Sequence, residues 1–577
     1  MLHRDFRHWN SGFVIPTTDG GYADQPSLVA LPDGRLLCAV TTCMGGEGDG
    51  GEYVSVLRSE DGGKSWQELS SPEVTDKDSS YGVLVIDREG CVYCIYNYNI
   101  EGYRPLESGV RRVDMGGHIC MRYTTDGGES WSERREIEIS TGEGERLYPC
   151  FTADGKPYRF FWNVARPFFD GDDLYLTMAK PYSSWMMMQE GRVFDESRSL
   201  LLVARGLVRD KNAPFVSLPR ETKELLPPLG DCVAEEPCCV KLSDGTLFII
   251  SRTENGHPVC FLSRDGGETF SDGYVPTHMG DAPIKHPRAA NFIWKLPNGR
   301  YLYWFHNVGK PNWGYRNPAW CCPCYEVDTP VGKTLAFGQP EILLFHESSQ
   351  KLVSYPDLLY HEGHYLLTET EKQTARLHDL PREFMETIFS QDVICQPLVG
   401  IEKEKLLEKG LPCQVFATTE HAEREDWCAF TGKGCSFVFE GSFAKGETVF
   451  SARNRQTGGV TVTVAEDGTL RLLGASRNCS FLIESTIPVA DGGHHHVAWV
   501  LDSSAHVSFL VIDGRFDNGT DKADCGWCFI PLQMNELGGE KAVTVGEGIA
   551  RASLIERAIL TTEAIGDYRA SLTQHQQ

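Results

Sequence analysis

Through roughly the first two thirds of the chain, apolar runs and polar turns alternate on one template. An apolar run meets a turn containing Asp, Asn or Glu and closed by glycine, and a second apolar run follows. Six copies occur: Leu31-Pro32-Asp33-Gly34-Arg35-Leu36, Ile86-Asp87-Arg88-Glu89-Gly90-Cys91-Val92, Phe169-Asp170-Gly171-Asp172-Asp173-Leu174, Leu242-Ser243-Asp244-Gly245-Thr246-Leu247, Leu296-Pro297-Asn298-Gly299-Arg300-Tyr301 and Tyr360-His361-Glu362-Gly363-His364-Tyr365. Each predicts a β-hairpin. They recur about every 66 residues, a period that suits a four-stranded unit with generous loops, so six such units suggest a propeller closed on itself.

A second repeat lies between these turns. Ser59-Glu60-Asp61-Gly62-Gly63-Lys64-Ser65-Trp66, Thr124-Thr125-Asp126-Gly127-Gly128-Glu129-Ser130-Trp131 and Ser263-Arg264-Asp265-Gly266-Gly267-Glu268-Thr269-Phe270 share the form Ser/Thr-x-Asp-Gly-Gly-x-Ser/Thr-aromatic. The aspartate accepts turn amides, the glycines supply positive φ and the aromatic packs beneath, which makes the motif a folding device rather than a catalytic one. These copies resemble the Asp-boxes of the sialidase (neuraminidase) superfamily, and the resemblance implies a six-bladed β-propeller over residues 1–395.

Beyond that the pattern changes. Ile401 to Leu406 carries a charged helical pattern, predicting a linker with a short helix over 396–425. From 426 to 577 alternating segments such as Phe437-Val438-Phe439, Val460-Thr461-Val462-Thr463-Val464, Leu470-Arg471-Leu472-Leu473, His496-Val497-Ala498-Trp499-Val500-Leu501 and Val507-Ser508-Phe509-Leu510-Val511-Ile512 predict a β-sandwich. The stretch His495-His496-Val497-Ala498-Trp499-Val500, followed by a strand ending in Asp513-Gly514, resembles the concanavalin/laminin-G type of jelly roll. A sugar-binding role and a role as packing partner for the propeller are both open for it. The expected fold class is therefore all-β, a six-bladed propeller followed by a sandwich.

Composition narrows the partners. The net charge of −25 over 577 residues argues against nucleic acid and anionic membranes, because basic side chains supply most of the binding to both. An acidic substrate would need a local cationic island. No window reaches 18 consecutive apolar residues and no signal-peptide pattern opens the chain. With twenty cysteines, many in apolar runs, the reading is a reduced, cytoplasmic protein with buried thiols. Cys91/Cys94, Cys525/Cys528 and Cys321-Cys322-x-Cys324 lack the converging fourth ligand of a zinc site, and His494-His495-His496 reads as the start of a strand. No metal or cofactor is implied; the oligomeric state is open.

The resemblance also implies a site. Retaining exo-sialidases combine an acid/base carboxyl, a tyrosine nucleophile activated by a glutamate, and an arginine clamp on the substrate carboxylate. A neutral phenol suits an anomeric carbon that already carries a carboxylate, and an arginine fork matches that carboxylate. Glu236, in Ala234-Glu235-Glu236-Pro237, takes the activating role, with Glu235 a less favoured substitute, and Arg252 on the return strand takes one clamp position. Arg316 before Asn317-Pro318 takes another, with Arg288 as alternate. Tyr355, in Val353-Ser354-Tyr355-Pro356-Asp357, is the nucleophile. Glu47 in a glycine-rich loop is the acid/base, with Asp49 the alternate, although the family uses aspartate there.

One position departs sharply. Asp24 stands where the family has its first clamp arginine. A carboxylate facing another at about 4 Å costs around 4 kcal/mol at an effective dielectric of about 20. Two explanations remain. In one the charges are swapped: Lys372 or Arg376, near Glu369, supplies the cation and Asp24 steadies it, although Glu369 and Lys372 face opposite sides if their strand continues. In the other Asp24 is catalytic, with Glu47 or Glu236, on a different terminal sugar. The readings are an exo-glycosidase releasing sialic acid or a related acidic sugar, an exo-glycosidase for another sugar, and a non-catalytic glycan-binding protein.

Overall fold

All six glycine turns are hairpins, and each joins the first strand of a sheet to the second. Gly34 and Gly245 hold φ at 88° and 92°, a region that penalises any Cβ. The computed structural model describes residues 5–576, apart from 74–76, 103, 105–111, 113, 115, 148, 150, 152–154, 156–158, 183–195, 221–223, 229–232, 281, 399–403, 411–433, 454–457, 535–536 and 538–542.

The protein is all-β, and among the described residues its sheets are antiparallel, four of the eight being four-stranded. The first sheet runs Tyr22–Ala30, Leu36–Cys43, Tyr53–Ser59, Gln67–Glu68, and the second Ser79–Ile86, Val92–Tyr98, His118–Thr124, Arg135–Glu136. The third begins at Phe168–Asp170, the fourth at Glu235–Lys241 and the fifth at Phe292–Lys295. The last, Ser354–His361, His364–Thr370 and Ala375–Leu380, takes its fourth strand, Phe13–Ile15, from the far end of the sequence, with Phe13 opposite Leu377 and Ile15 opposite Ala375. The strand Tyr22–Ala30 touches both Ser79–Ile86 and Ser354–His361, so the first and last sheets are neighbours. Apolar clusters fill the gaps between successive sheets. Leu37, Val54 and Val56 meet Leu84, Cys94 and Tyr96, and Val83, Tyr93 and Ile95 meet Leu174, Leu176 and Leu202. Cys91 and Cys94 accordingly belong to different clusters.

The three Asp-Gly-Gly turns share one hydrogen-bond pattern. Ser59 Oγ donates to Asp61 and accepts from Gly63 N at 2.8 Å, and the same carboxylate accepts from Ser65 N at 2.9 Å. The turns at Asp126 and Asp265 repeat this.

The second domain holds two facing sheets. The larger contains Cys435–Gly441, His495–Asp502, Val507–Ile512 and Ile549–Ile555; the smaller contains Thr448–Ser451, Gly459–Val464, Leu470–Ala475 and Ser480–Glu484. Phe437, Phe439, Trp499, Val462 and Leu472 form the core between them. The opposite face of the larger sheet is also buried: Val438, Ala498, Phe509 and Val511 share a core with Trp320, Phe337 and Ile342 of the fifth sheet. A sheet covered on both faces explains why its strands read as nearly continuous apolar runs.

The short helix expected around Ile401–Leu406 does not form at its described end. Glu404–Leu406 is a strand paired with Ser553–Ile555, because a sheet edge offers backbone partners that a six-residue charged helix would lack; residues 401–403 and 411–433 lie outside the described set. Three α-helices among the described residues, Glu143–Leu147, Arg382–Phe389 and Thr561–His575, stand where only strands or linker were anticipated. Among the described residues no helix is long and apolar enough to cross a membrane.

Candidate active site

Four first strands carry the same irregularity. Their register slips between Asp24 and Ser27, Ser80 and Val83, Glu235 and Cys238, and Ser354 and Asp357. Within each slip one non-glycine residue is left-handed: Gln25 (φ 53°), Tyr81 (55°), Glu236 (47°) and Tyr355 (48°). A bulge of this kind re-aims a side chain, and holding such a residue left-handed costs about 1–3 kcal/mol. In three of the four the next residue is proline, Pro26, Pro237 or Pro356, which has no amide for the ladder and disfavours right-handed helical geometry in its predecessor.

Two of these bulges bring Tyr355 and Glu236 together. Tyr355 Oη donates to Glu236 Oε1 at 3.0 Å, and Trp162 Nε1 donates to the same oxygen at 3.2 Å. Arg252 NH1 lies 2.8 Å from the other oxygen. Burial and the Glu236 charge push the Tyr355 phenol up to about 12, although Lys372, Arg316 and Arg252 oppose them, so the resting hydroxyl is neutral.

The neighbouring Glu235 has a different task. Arg252 gives it Nε and NH2 at 2.7 and 2.6 Å, Arg288 NH2 approaches at 2.8 Å, and Ser197 Oγ donates at 2.8 Å. Burial would raise this carboxyl, but Arg252 and then Arg288 outweigh it and hold it at about 2. Arg252 thus commits all three nitrogens to Glu235 and Glu236. Arg288 also reaches Glu254 at 3.3 Å and lies over the Trp313 ring at 5.2 Å. The guanidinium of Arg316 is different: it is buried, its Nε has no hydrogen-bond partner, and it sits over the Tyr355 ring at 5.7 Å.

Lys372 also lies against that ring, with Nζ 4.1 Å from the centroid. Its amine reaches Asp24 at 2.7 Å and Glu47 at 3.4 Å. The strand His364–Thr370 ends before Lys372, whose φ of 77° turns it back toward the first sheet, so strand alternation does not govern it. Asp24 is fully buried; it accepts from Tyr22 Oη at 2.5 Å and from Gln25 N at 3.0 Å. Burial raises its pKa, with Lys372 opposing. Glu47 also meets Arg112 at 2.8 Å and keeps about a third of its side chain exposed; partial desolvation would raise it, but Lys372 and Arg112 hold it well below the usual carboxylate range. Asp49 turns inward on its own loop, accepting from Gly46 N at 3.0 Å.

Glu369 is not brought to this cluster. It is buried against His378 at 3.3 Å, and burial raises its pKa. Arg376 likewise points elsewhere, donating to Gly12 O at 2.9 Å and lying over Trp9.

Sequence reasoning missed five neighbours: Trp162, Tyr81, Arg112, Asp114 and Glu52. Tyr81 Oη donates to Asp114 at 2.6 Å and accepts from Arg112 NH2 at 2.9 Å. Glu52 takes Gly48 N at 2.7 Å and Ser80 Oγ at 2.5 Å, which anchors the Glu47 loop. Burial and the Asp114 charge push Glu52 up to about 8. The available signal was positional: Gln25, Glu236 and Tyr355 each precede proline, and Tyr81 precedes Gly82, at one point in the repeat.

The arrangement offers a neutral phenol against a carboxylate, a second carboxylate beside Lys372, and two cations over the phenol ring. Such a set can form and break a covalent bond at an electrophilic carbon beside an anionic group.

No protein-family model matches the chain, and no curated protein matches it by sequence. Solved structures similar to it include sialidases. One is the Trypanosoma rangeli sialidase in complex with 2,3-difluorosialic acid, at 12% identity over 98% of this chain and 97% of that one, with a TM-score of 0.42. Another is the NanB sialidase of Streptococcus pneumoniae, at 13% identity over 64% of this chain and 70% of that one, TM-score 0.46. A Dyadobacter fermentans protein of unknown function matches at 15% identity over 64% of this chain and 98% of that one, TM-score 0.45.

Proposed function

We propose that this protein is a sialidase-superfamily exo-glycosidase that releases a terminal sialic acid or related acidic sugar with retention, from a cytoplasmic location. In this reading residues 1–395 are a six-bladed propeller, one blade per sheet. Residues 426–577 are the concanavalin/laminin-G-like domain, joined by Glu404–Leu406 ahead of them. The observation that carries the reading is the 3.0 Å contact of Tyr355 with Glu236 beneath Lys372 and Arg316.

The chemistry follows from those positions. Tyr355 Oη attacks the anomeric carbon while Glu236 takes the phenolic proton, and the glycosidic oxygen leaves with a proton from Glu47. Water then attacks the glycosyl-tyrosine, with Glu47 as base and the phenol recovering its proton from Glu236. The substrate carboxylate lies between Arg316 and Lys372, while Arg252 and Arg288, occupied by Glu235 and Glu236, position the base. Glu47 is ionised at rest. A carboxylate arriving beside it adds an anion and takes up the charge of Lys372, which raises its proton affinity and arms it as an acid only when substrate is bound. Asp24 steadies Lys372, supported by their 2.7 Å contact, so the charges are swapped relative to the family. The exposed Trp313 offers a flat face to a sugar ring.

The test is a panel of aryl glycosides with the wild type and Tyr355→Phe, with proton NMR of the first anomer released. The expected result is sialoside turnover with retention and a loss of at least about a thousandfold in Tyr355→Phe. Sialoside turnover that persists in Tyr355→Phe sinks the tyrosine mechanism. Activity on a neutral glycoside alone transfers the role to Asp24, and glycan binding without product makes the protein a binding module.

A further inference from the structure

We propose that the second domain holds a divalent transition-metal site, with Zn2+ as its ion, formed by Glu440, His494 and His575. The three residues come from separate stretches of chain: Glu440 from the strand Cys435–Gly441, His494 from the position just before the strand His495–Asp502, and His575 from the end of the helix Thr561–His575. Their ligand atoms all lie within 4.8 Å of one another, and Glu440 Oε1 is 2.9 Å from His575 Nε2. Zinc bonds nitrogen and oxygen at about 2.0–2.2 Å in a tetrahedron, which sets neighbouring ligand atoms roughly 3.3 Å apart. The Glu440–His575 pair is already close to that spacing. Both histidines are exposed, and small ring rotations close the remaining distance, at most about 1.5 Å.

The donor set is that of a borderline divalent ion. One carboxylate oxygen and two imidazole nitrogens suit Zn2+ and leave the fourth position to water. The three consecutive histidines are divided in their use. His495 contacts Asp491 and Asp513 at 2.8 Å each, and His496 contacts Asp567 at 3.0 Å. His494 alone of the three has no carboxylate of its own among the described residues, and its ring instead meets His575 edge-on, with centroids 4.7 Å apart.

A second layer orients the carboxylate, as metal sites require. Ser571 Oγ donates to Glu440 Oε1, and Arg551 NH1 lies 3.8 Å from Oε2. Asp567, Ser571 and His575 follow at intervals of four, which puts them on one helix face. That face meets His496 and Glu440 on the larger sheet. An ion at its last turn pins the helix to the sheet, in a domain whose other helix-to-sheet polar contacts lie one and two turns earlier. The site is remote in sequence from Tyr355 and independent of the proposed hydrolase activity.

The experiment uses the full chain stripped with EDTA and titrated calorimetrically with ZnCl2. The expected result is one ion per chain and a melting temperature that rises by several degrees when free Zn2+ exceeds Kd by about a hundredfold. His494→Asn and His575→Asn each weaken binding at least about tenfold and remove the thermal shift, while their apo forms melt with the apo wild type because both side chains are exposed. With Co2+ the wild type shows d–d bands of nitrogen and oxygen ligation only. No stoichiometric binding overturns the proposal. So does binding unchanged in the double variant, or a sulfur-to-cobalt charge-transfer band, which would place the ion on cysteines.

Discussion

The mouth of the first sheets and the interior of the second domain are built from the same antiparallel strands, yet they handle polarity in opposite ways. In the second domain Phe437, Trp499, Val462 and Leu472 share an apolar core between two sheets, and the buried indole nitrogen of Trp499 is satisfied by Ser508 Oγ at 2.8 Å. At the mouth of the first sheets, left-handed residues break the pleat and bring the buried Asp24, Glu236, Tyr355, Arg252 and Arg316 together with the half-buried Lys372. The lesson is that strand pattern makes the scaffold, whereas the deviations from it make the site. A bulge turns an alternating strand into a device that directs a polar group along an axis it would otherwise avoid.

The strongest way to break this comparison is Lys372→Met. It leaves Asp24 buried without its cation, and removing one partner of a buried pair costs about 3–5 kcal/mol. The expected outcome is a fall in melting temperature together with loss of acidic-glycoside binding, and adding Asp24→Asn restores the stability but not the binding. Denaturant melts and binding titrations of both variants check this; equal stability of the single and double variants would show the charges to be uncoupled.

Next in size is Leu472→Ala in the apolar core. A cavity there costs about 2–5 kcal/mol, read as a lower denaturation midpoint. Turnover at a temperature where the variant remains folded stays at the wild-type value, since Leu472 touches only the sandwich interior. A change in KM would show that the two regions are not separable.

The smallest effect concerns Glu341, at the seam between the two regions. It accepts Thr561 N at 2.6 Å and Ile342 N at 3.1 Å, and burial pushes it up to about 8, with Arg7 opposing. A carboxyl raised in the folded state contributes stability that is fully present below its ordinary value near 4.5 and is lost as pH rises through about 8. Glu341→Gln removes that loss. Its melting temperature, measured from pH 5 to 9, therefore falls less on the alkaline side than the wild type's, by roughly 2–4 °C. Parallel curves would remove Glu341 from the account.

Much of the scaffold was legible in the sequence because its signals are local. A glycine at φ near 90° between two apolar runs forces a hairpin wherever it occurs, and the Asp-Gly-Gly turns close through hydrogen bonds spanning four residues. The site was legible residue by residue, but its wiring was not. Nothing local says that Arg252 is occupied by Glu235 while Arg316 is not, or that Glu369 turns to His378. Lys372 was misaligned on paper because alternation assumes a continuing strand, and its φ of 77° ends that strand.

By itself the sequence determined the hairpins, the repeat, the sandwich strands and the pool of polar residues, since each depends on periodicity and turn chemistry within a few residues. Only the tertiary structure decided which carboxylate each cation would face, that the larger sheet of the second domain would be covered on both sides, and that Glu440, His494 and His575 would meet. Those outcomes depend on contacts between residues from tens to hundreds of positions apart, where burial removes water and leaves each charge to the partner that packing supplies.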